Sequence, residues 1–260
     1  MTMSYARAVG ACLLTGCLVA TPAGAQSPPG PGAPGSTVIR TVLATTGLPS
    51  VTDTPLHFRL LRVTVPAGES TRYSGSTGII YLLSGGLAVS VDGDRQTLRE
   101  GDAVVVTKGK TATLRTTGSD PATTLHFMLP RVEELNAPGP RAPLAATELY
   151  RTAAPIPGLK PGPYEFSLVR VSFPPRFPLN PPHHRSGAAL YYVLSGTGAT
   201  ATGGRTEARP AASTQYEPFD YIHQWANPGS APFVLLQANI SQEGVPAVIF
   251  ESAAPGPAPR

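Results

Sequence analysis

FRLLRVTVP, residues 58–66, returns 108 residues later as FSLVRVSFP, residues 166–174. Two further pairs keep the order: IIYLLSGG at 79–86 with LYYVLSGT at 190–197, and GSDPATTLHFML at 118–129 with GSAPFVLLQANI at 229–240, each 111 residues apart. Three matches in the same order, at offsets within three residues of one another, are two copies of one unit. RLLRVTV and SLVRVSF alternate apolar and polar residues, the period of a half-buried strand. IIYLL and LYYVL are short β-rich runs ending in Ser-Gly, and VDGD at 91–94 carries the Asp-Gly signal of a tight hairpin. No segment sustains a helical period beyond a turn or two, EELNA at 133–137 being the best candidate. The reading is all-β, two barrels or sandwiches in tandem.

Composition agrees with this. The chain has 260 residues, enough for one large or two small domains, and its 41% hydrophobic content supplies a core. Charged residues are 14%, while 30 Pro and 27 Gly punctuate the short apolar runs. The net charge of +4 is spread over 20 Lys and Arg with no basic run, so nucleic acid is not an expected partner.

Residues 1–25 read as a signal segment: Arg7, then the apolar ACLLTGCLVA, then small residues before Gln26. Export to the periplasm or beyond the cell is the expectation. Ala23-Gly24-Ala25 fits an ordinary cleavage site, and Leu14-Thr15-Gly16-Cys17 resembles a bacterial lipobox; the alternative is therefore a lipoprotein anchored at Cys17. Apart from that anchor no membrane association is expected, because no other apolar run approaches the roughly 20 residues of a span. The only two cysteines, Cys12 and Cys17, lie in this segment, which leaves no disulfide or thiolate site in a chain cleaved after Ala25. Residues 26–45 read as a Pro/Gly-rich linker, 46–142 and 143–250 as the two barrels, and 251–260 as a Pro-rich tail.

The chemistry gathers in the second copy. HHRSGAALYYVLSGTG occupies 183–198, and HQWAN follows at 223–227. With the strand-plus-glycine segments of both copies, the chain resembles the cupin superfamily, and residues 42–252 resemble a bicupin of two jelly-roll barrels. The resemblance implies a divalent metal held by three histidines and a glutamate. Counted back from Gly196, His183 falls on the first histidine, Arg185 on the second and Ala189 on the glutamate; His223 and Asn227 keep the spacing of the second motif. In the first copy, Arg72, Ser74, Gly78 and Ala112 occupy the corresponding positions, so no ligand is left there.

Two readings of the second copy stay open. A break in strand alternation would turn His183, His184 and His223 inward together, a three-histidine site for one Zn, Fe or Mn ion lacking the carboxylate. Alternatively no metal binds, and Arg185 puts a fixed charge and a planar donor fork where the cation would be, suited to a small carboxylate. Tyr191, Tyr192, Trp225, Asn227 and Gln237 would complete that ligand site. His57 and His126 read as packed strand histidines, and Glu133-Glu134 as a solvated pair. The leading expectation is an exported bicupin that binds a small molecule. The alternatives are a metal-dependent enzyme of the dioxygenase or isomerase branches and a structural module of the cell envelope. Association into a homo-oligomer also stays open.

Overall fold

The computed structural model describes residues 37–49, 51, 55–135 and 145–251. The signal segment with Cys12 and Cys17, the linker to residue 36 and the tail from 252 lie outside the described residues. In the first half run β1 (Ile39–Leu48), β2 (Arg59–Val65), β3 (Ser70–Ser74), β4 (Gly78–Ser84), β5 (Leu87–Val91), β6 (Asp94–Leu98), β7 (Ala103–Val106), β8 (Thr111–Thr116), β9 (Ala122–Met128) and the single turn α1 (Val132–Leu135). In the second half run β10 (Ala145–Arg151), β11 (Tyr164–Phe173), β12 (His183–Arg185), β13 (Ala188–Ser195), β14 (Thr197–Thr202), β15 (Arg205–Pro210), β16 (Thr214–Glu217), β17 (Gln224–Ala226), β18 (Phe233–Gln242) and β19 (Val248–Phe250).

The duplicated sequences form equivalent strands. β2-β9-β4 and β11-β18-β13 run antiparallel in the same order within two five-stranded sheets, β10-β2-β9-β4-β7 and β1-β11-β18-β13-β16. Smaller sheets close each barrel: β3-β8-β5-β6 in the first, and β15-β14-β17 with β12-β19 in the second. The hairpin expected at VDGD joins β5 to β6, with Val91 opposite Asp94 and both Asp92 (φ 51°) and Gly93 (φ 98°) left-handed.

The runs IIYLL and LYYVL lack alternation because their strands are covered on both faces. Ile80 and Leu82 face the interior of the first barrel; Ile79 and Tyr81 join a core shared between the barrels. In the second barrel Ala189, Tyr191 and Val193 face inward, and Leu190 and Tyr192 join the shared core. There Phe58 meets Phe166 at 6.4 Å and Tyr216 at 6.0 Å between ring centroids. The two large sheets therefore stack on each other, and each is also one wall of its own barrel.

Two corrections to the sequence boundaries concern β1 and β10. Residues 39–45, read as linker, are strand, and β1 pairs with β11 of the second barrel. β10, assigned by sequence to the second barrel, pairs with β2 of the first. The barrels thus exchange their leading strands. The linker ends earlier than its composition suggested because IRTVLATTGL, rich in β-branched residues, has strand character of its own.

Candidate functional site

Within the second barrel, β12 positions the histidines. The strand pairs with β19 in unbroken register, His183 opposite Phe250, His184 opposite Ile249 and Arg185 opposite Val248. With no bulge, alternation sends His183 and Arg185 into the barrel and His184 outward. His183 is 1% and Arg185 2% exposed, whereas His184 is half-buried on the outer side, its Nδ1 2.6 Å from Glu251 Oε1. The three-histidine arrangement is therefore not formed.

His223, also buried, does meet His183. Their backbones exchange two hydrogen bonds, 3.1 and 2.9 Å, and the ring centroids lie 4.2 Å apart. His183 Nδ1 donates to the Pro181 carbonyl at 3.0 Å and His223 Nδ1 to that of Tyr221 at 2.8 Å. A carbonyl only accepts, so each Nδ1 carries a proton and Nε2 is directed inward. Burial, then the neighbouring His223, lowers the His183 pKa to about 4.

The residue at the centre is Glu217, which the sequence reading passed over. It is fully buried at the end of β16, opposite Ala189, the small residue in the family's glutamate position. Arg185 Nε donates to Glu217 Oε2 at 3.0 Å, Trp225 Nε1 donates to Oε1 at 2.8 Å, and the Tyr191 hydroxyl donates to Oε2. His223 Nε2 lies 2.8 Å from Oε1, a contact that becomes an ion pair when Nε2 carries a second ring proton. Burial alone would raise the carboxyl pKa; Arg185 and then His223 outweigh it and bring it down to about 2. For Arg185 burial likewise opposes the charged form, and Tyr191 with Glu217 more than offsets it, leaving the pKa raised. One signal for Glu217 was available: an isolated acid directly before Pro218, six residues ahead of His223 in the second motif.

The remaining expected residues divide cleanly. Tyr191 faces the site, while Tyr192 faces the other barrel, where Arg62 Nη2 donates to its hydroxyl at 2.7 Å. Trp225 lies in the barrel wall. Asn227 is not a ligand residue: its amide nitrogen donates to the carbonyls of Pro174 and Ala231, and its oxygen accepts from Gly229 N, so it staples a turn. Gln237 lines the site and donates to Asn239 Oδ1 at 2.5 Å. A void of about 10 Å³ remains between Arg40, His183, Arg185, Trp225 and Gln237, room for roughly one water-sized group. Arg40, on the exchanged strand β1, is a site residue that the linker reading missed.

Does this donor set fit the family's metal? Two imidazoles and one carboxylate reach the number of ligands an open catalytic site takes. Yet both Glu217 oxygens are engaged by protein donors, and a guanidinium that stays protonated sits against the carboxylate, where it repels a dication. Among the described residues no group of three His, Cys, Asp or Glu converges to hold a metal ion. The residues do not fit the metal.

The first barrel fills the equivalent space differently. Opposite buried Ala112 stands Tyr73, one residue from the expected register, with Arg72 and Ser74 exposed on the outer face. Tyr73 packs edge-on against His126 at 5.0 Å, and burial lowers the His126 pKa to about 3. His57 is also packed, its Nδ1 3.2 Å from the Thr152 carbonyl oxygen.

Other proteins share this architecture. The family model described as Cupin domain matches residues 61–128, most of the first barrel. No curated protein matches the chain. Among solved structures, AerE from Microcystis aeruginosa superposes with a TM-score of 0.51 at 13% identity, over 77% of this chain and 99% of that one. A point mutant of Bacillus subtilis oxalate decarboxylase OxdC gives 0.52 at 14% identity, over 81% of this chain and 78% of that one. A second structure of that decarboxylase, from work on its Mn(II) centers, gives 0.50 at 14% identity, over 84% and 80%. At such identities the likeness is one of fold. With a Cupin domain match over residues 61–128 of its first half and the same barrel built again in its second, the chain has the cupin fold, in the two-barrel arrangement of a bicupin.

Proposed function

We propose that this bicupin is an exported, metal-independent binding protein whose C-terminal barrel takes a small anionic molecule. The observation that carries the reading is the replacement at the metal position: Arg185, paired with Glu217, supplies a permanent positive charge where the family's motif would place a metal ligand. A guanidinium presents several N–H groups in a fixed plane, and only part of that fork is spent on Glu217 and Tyr191. His183, His223, Trp225 and Gln237 complete a mixed polar and aromatic wall of the kind small-ligand sites use. A metal such as the Mn(II) of oxalate decarboxylase would need Glu217, whose two oxygens this barrel has committed to protein donors. The metal-enzyme alternative loses His184, which was to be its third ligand. Export rests on the pattern of residues 1–25 and is tested by intact mass of the native protein: a chain from Gln26, or an acylated chain from Cys17.

Metal analysis and thermal melting of the purified mature protein test the binding reading. Metal far below one per chain, a melting temperature unchanged by chelator, and a rise with a small carboxylate are expected. Stoichiometric Zn, Fe or Mn that stabilises the protein and disappears in His223→Ala would refute it.

A further inference from the structure

In the site just described, positive charge exceeds negative. Glu217 is the carboxylate there, and both of its oxygens are engaged, with Arg185 Nε and Tyr191 on one and Trp225 and His223 on the other. Arg185 uses Nε and Nη2 on these partners, but its Nη1 is buried and has no hydrogen-bond partner. Arg40 lines the same void from β1, and among the described residues no carboxylate is paired with it. Two guanidinium groups therefore border a space that no protein anion enters.

We propose that this space is a subsite for a monoanionic head group, the carboxylate of a small acid, gripped by Arg185 Nη1 from within and by Arg40 from the mouth. The proposal rests on the metal-independent reading above and names its ligand class. A planar carboxylate has two acceptor oxygens and matches two guanidinium groups better than a neutral hydroxyl does, and it loses less hydration than a dianion would. The void admits little more than one carboxylate oxygen, placed against Arg185 Nη1, so the second oxygen and the rest of the acid lie toward Arg40, an exposed residue on an edge strand. Although Arg40 is exposed as a whole residue, partial desolvation against the site and then the Arg185 charge lower its pKa, which is the electrostatic condition an anion between them relieves. Arg40 belongs to a strand that the barrel borrows from the start of the chain, so binding also ties β1 to β11 at the Arg40–Val171 position.

Trp225 is the only tryptophan of the chain and forms part of the void wall, so its emission reports the site directly. The mature protein, in chloride-free buffer of low ionic strength, is titrated with formate, acetate, benzoate, chloride and sulfate, and with a panel of neutral small molecules. Saturable emission changes with formate or acetate are expected, with chloride competing and sulfate weaker. Arg40→Gln should weaken the carboxylate affinity about tenfold without lowering the melting temperature of the free protein, and Arg40→Lys should restore part of that affinity. Saturable carboxylate binding that is equal in wild type, Arg40→Gln and Arg40→Ala overturns the proposal but leaves the ligand-binding reading. Binding only of a neutral molecule overturns the subsite and the anionic ligand class together, and leaves only small-molecule binding. If nothing saturates Trp225, both the subsite and the ligand-binding reading fail.

Discussion

At the scale of single residues, Glu217 and Arg185 depend on each other because neither charge is in contact with water. Glu217→Gln keeps the shape and removes the negative charge, so it should destabilise the protein by about 3–5 kcal/mol in denaturant unfolding at neutral pH. Adding Arg185→Met should recover part of that loss, since the stranded charge is then removed as well. A Glu217→Gln effect below about 1 kcal/mol would mean that the pair is solvated. Buried His126 sets a different dependence, on pH. Its pKa of about 3 in the folded barrel lies below the ordinary 6.5, so the unfolded chain binds the proton more readily. That group's contribution is complete above about pH 6.5 and is lost as the pH falls toward 3. His183, at about 4, and Glu217, at about 2 against an ordinary 4.5, act in the same direction. The midpoint of thermal unfolding should fall on acidification from about pH 7 to about pH 4, and His126→Leu should flatten that fall.

At the scale of elements, the turn between β12 and β13 joins the histidine strand to the inward tyrosine. Gly187 stands in that turn, and a Cβ there would overlap the Ile240 carbonyl oxygen in β18. The obstacle is backbone held in a sheet, so it does not rotate away. Gly187→Ala should therefore cost about 2 kcal/mol, within the range of overpacked interiors, and lower the melting temperature by several degrees. An unchanged melting temperature would show that the turn moves freely. The strand exchange belongs to this scale too. ATTGL at 44–48 and AATEL at 145–149 are a fourth pair of similar segments, and they fall in β1 and β10. Their likeness was legible; which barrel each strand joins was not, because β1 pairs with residues more than 100 positions away and leaves no local trace of it.

At the scale of the whole molecule, the two barrels form one compact unit and share the core around Phe58, Phe166, Leu190 and Tyr192. Unfolding either barrel would expose the shared core and release a strand from the other. Calorimetry should accordingly show a single transition, and two separate transitions would contradict this coupling. Phe58→Ala, deep in the shared core, should lower stability by about 3–5 kcal/mol and shift that transition without splitting it.

The sequence by itself determined the all-β class, the duplication and the loss of the family's ligand set, because periodicity, turn chemistry and residue identity are local quantities. It also carried the argument that His183 and His184 face opposite ways unless a bulge intervenes, and the unbroken β12–β19 register removed the exception. Only the tertiary structure decided that Tyr191 and not Tyr192 enters the site, since both faces of β13 are buried and hydrophobicity does not distinguish them. It alone brought Arg40, Arg185 and Glu217 to one point of the second barrel. These residues lie up to 177 positions apart, from 40 to 217, and on different strands, so their meeting is a property of sheet order and strand exchange that no stretch of the chain contains.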